Sequence, residues 1–352
     1  MSYIAKPVAR HPKMPVNALG LTPRDYEGSM STLCAGCGHD SVTAALIMAF
    51  FELDVEPHRL VKLSGIGCSS KTPTYFVREA HGFNSVHGRM PSIATGANAA
   101  NRDLVYVGIS GDGDSLSIGL GQFCHAIRRN VHMLYVLENN GVYGLTKGQF
   151  SASADIGSTS KGGVPNRQGP IDPVNLALSL GATFVARSFS GDKAQLVPIL
   201  KAGLAHDGFA FVDVISPCVT FNDHKGSTKS YAHTREHMHE VIETDFVPLR
   251  AEIKAAYAEG SVTSVKMHDG STVKLRKVDD SYDPSDRRAV MDYLAHASAK
   301  GEIATGLLYL RETGGEDMHS FENTVPTPLA GIPYEKLCPG DAALAELQKE
   351  WW

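Results

Sequence analysis

Four of the six cysteines in this 352-residue sequence occur in settings that suggest metal chemistry. Cys34 and Cys37 form a Cys-Ala-Gly-Cys pair, Cys68 lies in Gly-Ile-Gly-Cys-Ser-Ser, and Cys218 follows a proline. Such cysteines are typical of metal centres, whereas disulfides are rare in proteins of reducing compartments. A zinc site and an iron–sulfur cluster are both compatible with four thiolates, although the dispersed spacing favours a cluster over the closely paired cysteines of zinc knuckles.

A second candidate site consists of two glycine-containing turns. Gly111-Asp112-Gly113-Asp114 follows one apolar run, and Glu138-Asn139-Asn140-Gly141 follows the next. Oxygen ligands at the ends of two neighbouring strands can converge on Mg²⁺, which prefers octahedral oxygen coordination and usually keeps phosphate oxygens as ligands. The glycines allow the backbone to approach a phosphate, and a following helix would offer free N–H groups. Two exposed turns without a ligand are the alternative interpretation.

The elements around these turns alternate between strand and helix. Apolar or β-branched runs predict strands at 60–64, 104–109, 132–138, 182–187 and 210–215. Spacing or composition predicts helices at 40–52, 91–101, 115–129, 173–180 and 192–206. This alternation is typical of an α/β fold with a mostly parallel sheet and helices on both faces. Such sheets bind ligands beyond the carboxyl ends of their strands, where both turns lie.

The rest of the chain predicts two flanking parts. Residues 1–24 are expected to form an N-terminal arm before the α/β domain at 25–225. A C-terminal extension at 226–352 is expected to contain a helix at 234–259, a hairpin at 262–278 that turns at Asp269-Gly270, and a helix at 287–300. The tail beyond 301 ends in two tryptophans, which suits docking on a partner chain or a loosely packed end.

Composition excludes several classes of protein. Hydrophobic residues make up 43% and charged residues 20% of the sequence, which is ordinary for a globular protein. A net charge of −5 without a basic stripe argues against nucleic-acid binding. We find no run of roughly 18–20 apolar residues that could span a membrane, and no signal segment at the start. A cytoplasmic location is therefore expected.

The Gly-Asp-Gly block with its downstream asparagine resembles the diphosphate-binding motif of thiamine-diphosphate enzymes. By that resemblance, the Mg²⁺ ligands would be the side chains of Asp112 and Asn140 and the carbonyl of Val142. The residues that shape the diphosphate pocket would be Gly111, Gly113 and Asp114.

A wider set of motifs resembles the β subunits of 2-oxoacid:ferredoxin oxidoreductases over roughly residues 25–225. Its members, in chain order, are Cys34-Ala35-Gly36-Cys37-Gly38-His39, Gly67-Cys68-Ser69-Ser70, His87-Gly88-Arg89, Ala94-Thr95-Gly96, the Gly-Asp-Gly-Asp block and Tyr143-Gly144-Leu145-Thr146-Lys147-Gly148-Gln149. The resemblance implies one [4Fe–4S] cluster bound by Cys34, Cys37, Cys68 and Cys218. It also implies that the thiamine pocket includes Gly67, Ser69, His87 and Arg89.

The resemblance implies an enzyme that decarboxylates a 2-oxoacid on thiamine diphosphate, sends single electrons through the cluster to ferredoxin, and transfers the acyl group to coenzyme A. In thiamine enzymes, the glutamate that activates the pyrimidine comes from a different domain than the diphosphate site. This sequence has room for one α/β unit. We therefore expect a partner α subunit that supplies this glutamate and much of the coenzyme A site. The reaction could run in either direction, depending on the reducing power of ferredoxin.

Lys147 is the most informative departure from related sequences, because relatives that act on pyruvate commonly have Thr-Gly-Gly-Gln where this chain has Thr146-Lys147-Gly148-Gln149. A cation beside the reacting carbonyl could bind a second carboxylate on the substrate. We therefore name Lys147 and Thr146 as candidate catalytic residues and 2-oxoglutarate as the expected substrate. A solvated loop lysine is the alternative interpretation.

Other functions remain open from sequence alone. The same family could act on pyruvate or branched 2-oxoacids. A non-oxidative thiamine-dependent decarboxylase subunit would share the Gly-Asp-Gly motif but would need no set of four cysteines. A zinc-stabilised scaffold would need the cysteines but no diphosphate site.

Overall fold

The computed structural model describes residues 11–159, 163–247, 262–266, 272–277, 282–311, 316–338 and 340–351. Its main feature is a sheet to which these residues contribute ten strands. The strands are β1 Leu60–Ser64, β2 His81–Asn84, β3 Val105–Gly111, β4 Met133–Asn139, β7 Phe184–Phe189, β8 Phe209–Ile215, β9 Met238–Val247, β10 Val262–Lys266, β11 Thr272–Lys277 and β12 Ile303–Leu310. Two short strands, β5 Val142–Tyr143 and β6 Gln149–Phe150, pair separately.

The central strands are parallel, in the spatial order β2-β1-β3-β4-β8-β7. Every residue of β4 and β8 is buried, as expected for strands covered on both faces. β12 then pairs antiparallel with β7, and β9, β11 and β10 continue the same sheet beyond it. The predicted α/β fold with a mostly parallel sheet is confirmed.

Helices cover this sheet on both faces. The helices of the described residues are α1 Gly38–Glu52, α2 Met90–Ala100, α3 Leu120–Arg128, α4 Pro173–Ser179, α5 Lys193–Leu204, α6 Tyr231–His237, α7 Arg287–Ala299, α8 Met318–Phe321, α9 Tyr334–Leu337 and α10 Gly340–Lys349. Of these, α9 and α10 contribute no buried residue.

Two consecutive residues of β4 show how helices pack against both faces of the sheet. Leu134 lies against α5, where a Cβ on Gly203 would come within 2.8 Å of its Cδ1. The ring of the next residue, Tyr135, lies 5.2 Å from that of Phe123 on α3. Successive side chains of a strand point to opposite faces, so α5 and α3 must cover opposite sides of the sheet.

The prediction of a helix at 234–259 was wrong. The chain is helical at α6, but residues Met238–Val247 form strand β9, and residues 248–259 lie outside the described residues. Here β9 pairs with both β12 and β11, and half of its residues are of the β-branched or aromatic types that favour strands. Strand β12 itself was not predicted.

Two other predictions for the extension are confirmed. Strands β10 and β11 pair antiparallel as the hairpin requires, although its turn lies outside the described residues. The predicted helix at 287–300 is α7. No described helix has the length and apolar character needed to cross a bilayer.

Candidate active site

The two side chains that were predicted to bind magnesium lie at the carboxyl edge of the sheet, where β3 and β4 end side by side. Asp112 directly follows β3 and Asn140 directly follows β4, and both are buried. The Asp112 carboxylate accepts a hydrogen bond of 2.8 Å from the backbone N–H of Gly141. Thus the structure brings together two residues that are separated by a helix and a strand in sequence.

Further groups hold these ligands. The Asp112 carboxylate also accepts hydrogen bonds from the hydroxyls of Ser151 and Ser153. The Asn140 side-chain oxygen accepts a bond of 3.0 Å from the N–H of Val142, the predicted carbonyl ligand. Sequence analysis did not single out the two serines, because they follow no predicted strand and belong to no recognised motif.

The predicted glycines surround the start of the helical segment after β3. A Cβ on Gly113 would come within 2.5 Å of the Tyr143 ring, and a Cβ on Gly111 within 2.8 Å of Ser69 Oγ. Position 113 therefore needs glycine, and Ser69 lies against the Gly-Asp-Gly turn. A π-helical turn, Gly113–Ile118, precedes α3 where one continuous helix was predicted. Such turns are frequent at functional sites.

Asp114 links two loops of the predicted thiamine pocket through its carboxylate. Its carboxylate accepts hydrogen bonds from the N–H groups of Gly88 at 2.7 Å and Ile66 at 3.2 Å, and it contacts Nδ1 of His87. The Ile66 loop leads into Gly67, whose φ of +134° favours glycine. Asp114 therefore positions the loops that carry Gly67 and His87. Arg89 is exposed beside them.

The four predicted cluster cysteines meet around the β5–β6 turn. A Cβ on Gly144 would lie 3.3 Å from Cys68 Sγ and 3.6 Å from Cys218 Sγ. Cys37 interacts electrostatically with both of these thiols, and Cys34 interacts with them as well. All six cysteines of the chain are free. The absence of a side chain at Gly144 leaves the sulfurs facing a shared space.

Burial controls the protonation of these thiols. It raises the pKa of Cys37 to about 12, and the nearby Glu138, Cys218 and Cys68 raise it further. Burial also raises the pKa of the Cys68 and Cys218 thiols. Without a cation these groups are protonated at neutral pH, so metal binding has to release protons.

A buried polar network connects the cysteines to the magnesium site. His39 Nδ1 lies 2.6 Å from Ser216 Oγ and 3.5 Å from the Glu138 carboxylate, and the Asn140 amide approaches its Nε2 at 3.5 Å. Burial lowers the pKa of His39 to about 4 and holds that of Glu138 well above its usual value. Burial therefore favours the neutral form of each side chain. Their place directly after Cys37-Gly38 and directly before Asn139-Asn140 could have drawn attention to them in the sequence.

Lys147 is exposed and has an unusual backbone conformation. Its φ of +77° lies in the left-handed region, where glycine is favoured. Hydrogen bonds within the turn fix this geometry, because the N–H of Lys147 donates to Gly144 O and that of Gly148 donates to Tyr143 O. The neighbouring Thr146 hydroxyl donates to Gln149 at 2.6 Å.

Comparisons of the sequence and the structure with known proteins agree with this site. Residues 65–214 match the family model "Thiamine pyrophosphate enzyme, C-terminal TPP binding domain". The chain is 42% identical over 205 residues to the 2-oxoacid:ferredoxin oxidoreductase subunit beta of Saccharolobus solfataricus. These residues cover 58% of this chain and 65% of that subunit. It is also 36% identical over 192 residues to the 2-oxoglutarate synthase subunit KorB of Methanocaldococcus jannaschii. These residues cover 53% of this chain and 69% of that subunit. This chain belongs to the family of 2-oxoacid:ferredoxin oxidoreductase β subunits.

Other members of this β-subunit family extend the comparison. The 2-oxoglutarate oxidoreductase subunit KorB of Mycobacterium tuberculosis is 44% identical over 192 residues, which cover 54% of this chain and 51% of that subunit. The chain spans just under two thirds of the length of the S. solfataricus subunit. A solved 2-oxoglutarate:ferredoxin oxidoreductase of Magnetococcus marinus, with 2-oxoglutarate, coenzyme A and succinyl-CoA bound, has a TM-score of 0.70 at 29% identity and covers 95% of this chain and 98% of that one.

The thiamine-binding domain of this β subunit contains the predicted Mg²⁺ ligands but only one of the four cysteines. The matched residues include Asp112, Asn140 and Cys68. Cys34, Cys37 and Cys218 fall outside them. The sulfur site is therefore assembled partly by segments that flank the thiamine-binding domain.

Proposed function

We propose that this chain is the β subunit of a 2-oxoglutarate:ferredoxin oxidoreductase. The complete enzyme would convert 2-oxoglutarate and coenzyme A to succinyl-CoA and CO₂, and would pass two electrons singly through a [4Fe–4S] cluster to ferredoxin, in either direction. The observation that carries this proposal is the meeting of Asp112, Asn140 and four cysteines at one edge of the sheet. The M. marinus enzyme and the KorB relatives support 2-oxoglutarate as the substrate.

The residues at the end of β3 and β4 suit thiamine diphosphate and Mg²⁺. Asp112, Asn140 and the Val142 carbonyl would supply oxygen ligands, and glycine at 111 and 113 lets the backbone approach a phosphate. Thiamine diphosphate supplies an electron sink for the carbanion left by decarboxylation. The protein's own contribution here is to hold the Asp112 carboxylate through Ser151, Ser153 and Gly141, and the Asn140 amide oxygen through the N–H of Val142.

The cysteine set suits a cluster better than a single ion. Tetrahedral zinc bonded to sulfur at 2.3 Å would place its sulfurs about 3.8 Å apart. Among the described residues, no three of these sulfurs form a group whose members all lie within 4.8 Å of one another. Sulfurs spread around the space beside Gly144 support a larger centre, which would accept single electrons.

Two buried titratable groups lie between the sites. His39 and Glu138 are fully buried, and neutral forms avoid the cost of a buried charge. Ser216 and Thr72 hydrogen-bond to these side chains, so their orientation is fixed. We assign the network a positioning role, because it fixes Asn140 relative to the segment that carries Cys37.

Lys147 would determine which 2-oxoacid the enzyme selects as its substrate. Residue 147 has a strained left-handed conformation, and relatives that act on pyruvate commonly have glycine at this position. The lysine side chain should therefore have a function that offsets the strain. A charged hydrogen bond to the distal carboxylate of 2-oxoglutarate would be worth about 1.5–3 kcal/mol. Lys147→Met should therefore raise KM for 2-oxoglutarate at least about tenfold and leave pyruvate turnover unchanged. Lys300→Met, an exposed lysine on another part of the chain, is the control. An unchanged preference in Lys147→Met would refute this role.

The partner proteins are an α subunit, which would supply the activating glutamate and much of the coenzyme A site, and a ferredoxin. The names of the relatives as β subunits support the first of these. His87, Arg89, Gly67 and Ser69 would form the chain's side of the pocket that the α subunit completes.

The deciding experiment is anaerobic co-expression with the α subunit, followed by an assay with a one-electron acceptor. We expect coenzyme-A-dependent reduction with 2-oxoglutarate and weak or no reduction with pyruvate or a branched 2-oxoacid. Turnover with another acid would retain the family and refute the substrate. Bound thiamine diphosphate without iron or acceptor reduction would instead support a non-oxidative decarboxylase, and zinc without thiamine diphosphate a scaffold.

A further inference from the structure

A second group of metal-ligating side chains lies at the amino edge of the sheet, opposite the thiamine-binding edge. His132 directly precedes β4, Asp207 lies just before β8, and Asp317 is the N-cap of α8. One ligand atom from each side chain lies within 4.8 Å of the others, and His132 Nδ1 is 3.3 Å from Asp207 Oδ1. Three separate chain segments thus converge on one small volume.

These segments are held in place independently of the three side chains. Asn130 donates a hydrogen bond of 2.6 Å to the carbonyl of Glu316 and accepts one of 2.8 Å from the N–H of Phe209. Its own carbonyl accepts a hydrogen bond from the N–H of Met318. Asn130 therefore fixes the backbone on both sides of Asp317 against the start of β8.

His319 provides an independent sign of a missing ligand. Its side chain is 5% exposed, its Nδ1 pairs with Thr324 Oγ1 at 2.7 Å, and its Nε2 has no hydrogen-bond partner. A buried polar atom without a partner is costly, and such atoms in native proteins often mark an unmodelled water or ion. His319 interacts electrostatically with His132, Asp207 and Asp317. His319 therefore belongs to the same local group of titratable side chains.

We propose that His132, Asp207 and Asp317 bind a divalent transition-metal ion of the zinc type, with a water molecule as fourth ligand that donates a hydrogen bond to His319 Nε2. One imidazole and two carboxylates are ordinary zinc ligands, and the imidazole disfavours Mg²⁺ and Ca²⁺. Arg102 is a nearby cation, and the two carboxylates outnumber it. The ion would fasten the segment around α8 to the amino edge of the sheet. This inference does not rest on the proposed function.

Zinc binding to the full chain in its anaerobic complex tests the proposal. Competition with a chromophoric chelator would give the affinity for Zn²⁺, with Mg²⁺ as the ion that should not compete. His132→Gln and Asp317→Asn should each weaken binding at least about tenfold, and His319→Phe by a similar factor as an outer-shell partner. His58→Gln is the matched control, because His58 is 74% exposed and lies 4.0 Å from the Glu56 carboxylate. Iron content must be equal in all samples, since cysteines freed by cluster loss also bind zinc.

A second measurement guards against variants that fail to fold. Zn²⁺ should slow proteolysis of the wild-type chain within residues 316–338, and Mg²⁺ should not. Equal zinc affinity in wild type and His132→Gln, or proteolysis that is insensitive to Zn²⁺, would overturn the proposal and leave a simple His132–Asp207 ion pair.

Discussion

The carboxylate of Asp112 accepts a hydrogen bond from the backbone N–H of Gly141 at 2.8 Å. This contact joins the turn after β3 to the turn after β4, so the two predicted magnesium ligands are positioned by the protein itself. The φ of +77° at Gly141 lets the chain reverse at that point. The diphosphate site is therefore largely pre-formed by backbone geometry.

Replacement of the Asp112 carboxylate should weaken cofactor binding. Asp112→Asn removes a charged oxygen ligand, and we expect the affinity for thiamine diphosphate with Mg²⁺ to fall at least about tenfold. Isothermal titration of the complex measures this directly. Asp103→Asn, at an exposed aspartate, should bind normally. Equal affinity in the two variants would contradict the assignment of Asp112.

The cysteines divide into two sets with different expected behaviour. Cys34→Ser and Cys218→Ser should lose most of the roughly four iron atoms that a [4Fe–4S] cluster contributes per chain. Cys124→Ser on α3 and Cys338→Ser beside α9 should keep them. Iron analysis and the electron paramagnetic resonance signal of the reduced complex provide the readout. Full iron content in Cys218→Ser would exclude that residue as a ligand.

The strain at Lys147 predicts opposite changes in stability and selectivity. Lys147→Gly should raise the free energy of unfolding by about 1 kcal/mol, because glycine adopts positive φ without the cost of a Cβ. The same variant should lose the preference for 2-oxoglutarate. Asn323→Gly is the control, since Asn323 is exposed with a φ of +49°, and its substrate preference should not change. Chemical denaturation and the acceptor assay measure the two effects, and a destabilised Lys147→Gly would contradict the strain argument.

A buried ion pair supports the strand beside the active site. Arg187 donates 2.8 Å hydrogen bonds to Asp213 and Asp172, and Asp213 also accepts one from Asn139, next to Asn140. Arg187→Met would leave a buried carboxylate unpaired, which should lower the free energy of unfolding by about 3–5 kcal/mol.

The control for this effect is Lys349→Met, which breaks an exposed pair with Glu346 and should cost less than about 1 kcal/mol. Thermal or urea denaturation distinguishes the two variants. Similar small losses in both would show that the buried pair contributes little.

The sequence predicted the central sheet well because its signals are local. Residues 60–64 and 210–215 are continuous apolar runs, and turn residues mark where the chain leaves each strand. The family motifs then indicated which turns carry chemistry. Those motifs also named all four cysteines, although their convergence depends on contacts between Gly144 and residues far away in sequence.

The missed features depend on distant pairing or burial. Residues 238–247 were predicted as part of a long helix although half of them are β-branched or aromatic, and their pairing with β11 and β12 on either side makes them a strand. Likewise, the position of Glu138 before Asn139-Asn140 could draw attention to it, but its raised pKa cannot be predicted locally. That shift follows from complete burial in a fold that also brings His39 beside it from a hundred residues earlier in the chain.

The turn between β5 and β6 constrains how this enzyme family can change its substrate. Gly144 lies against two sulfurs, and Gly148 lies so close to Phe221 that a Cβ there would approach its ring to 2.9 Å. A shift of the backbone on either side of residue 147 would therefore disturb the cysteines or Phe221. If Lys147 selects the substrate as we propose, exchange of that one side chain would change selectivity and leave the cysteines in place, so a single codon could redirect the enzyme.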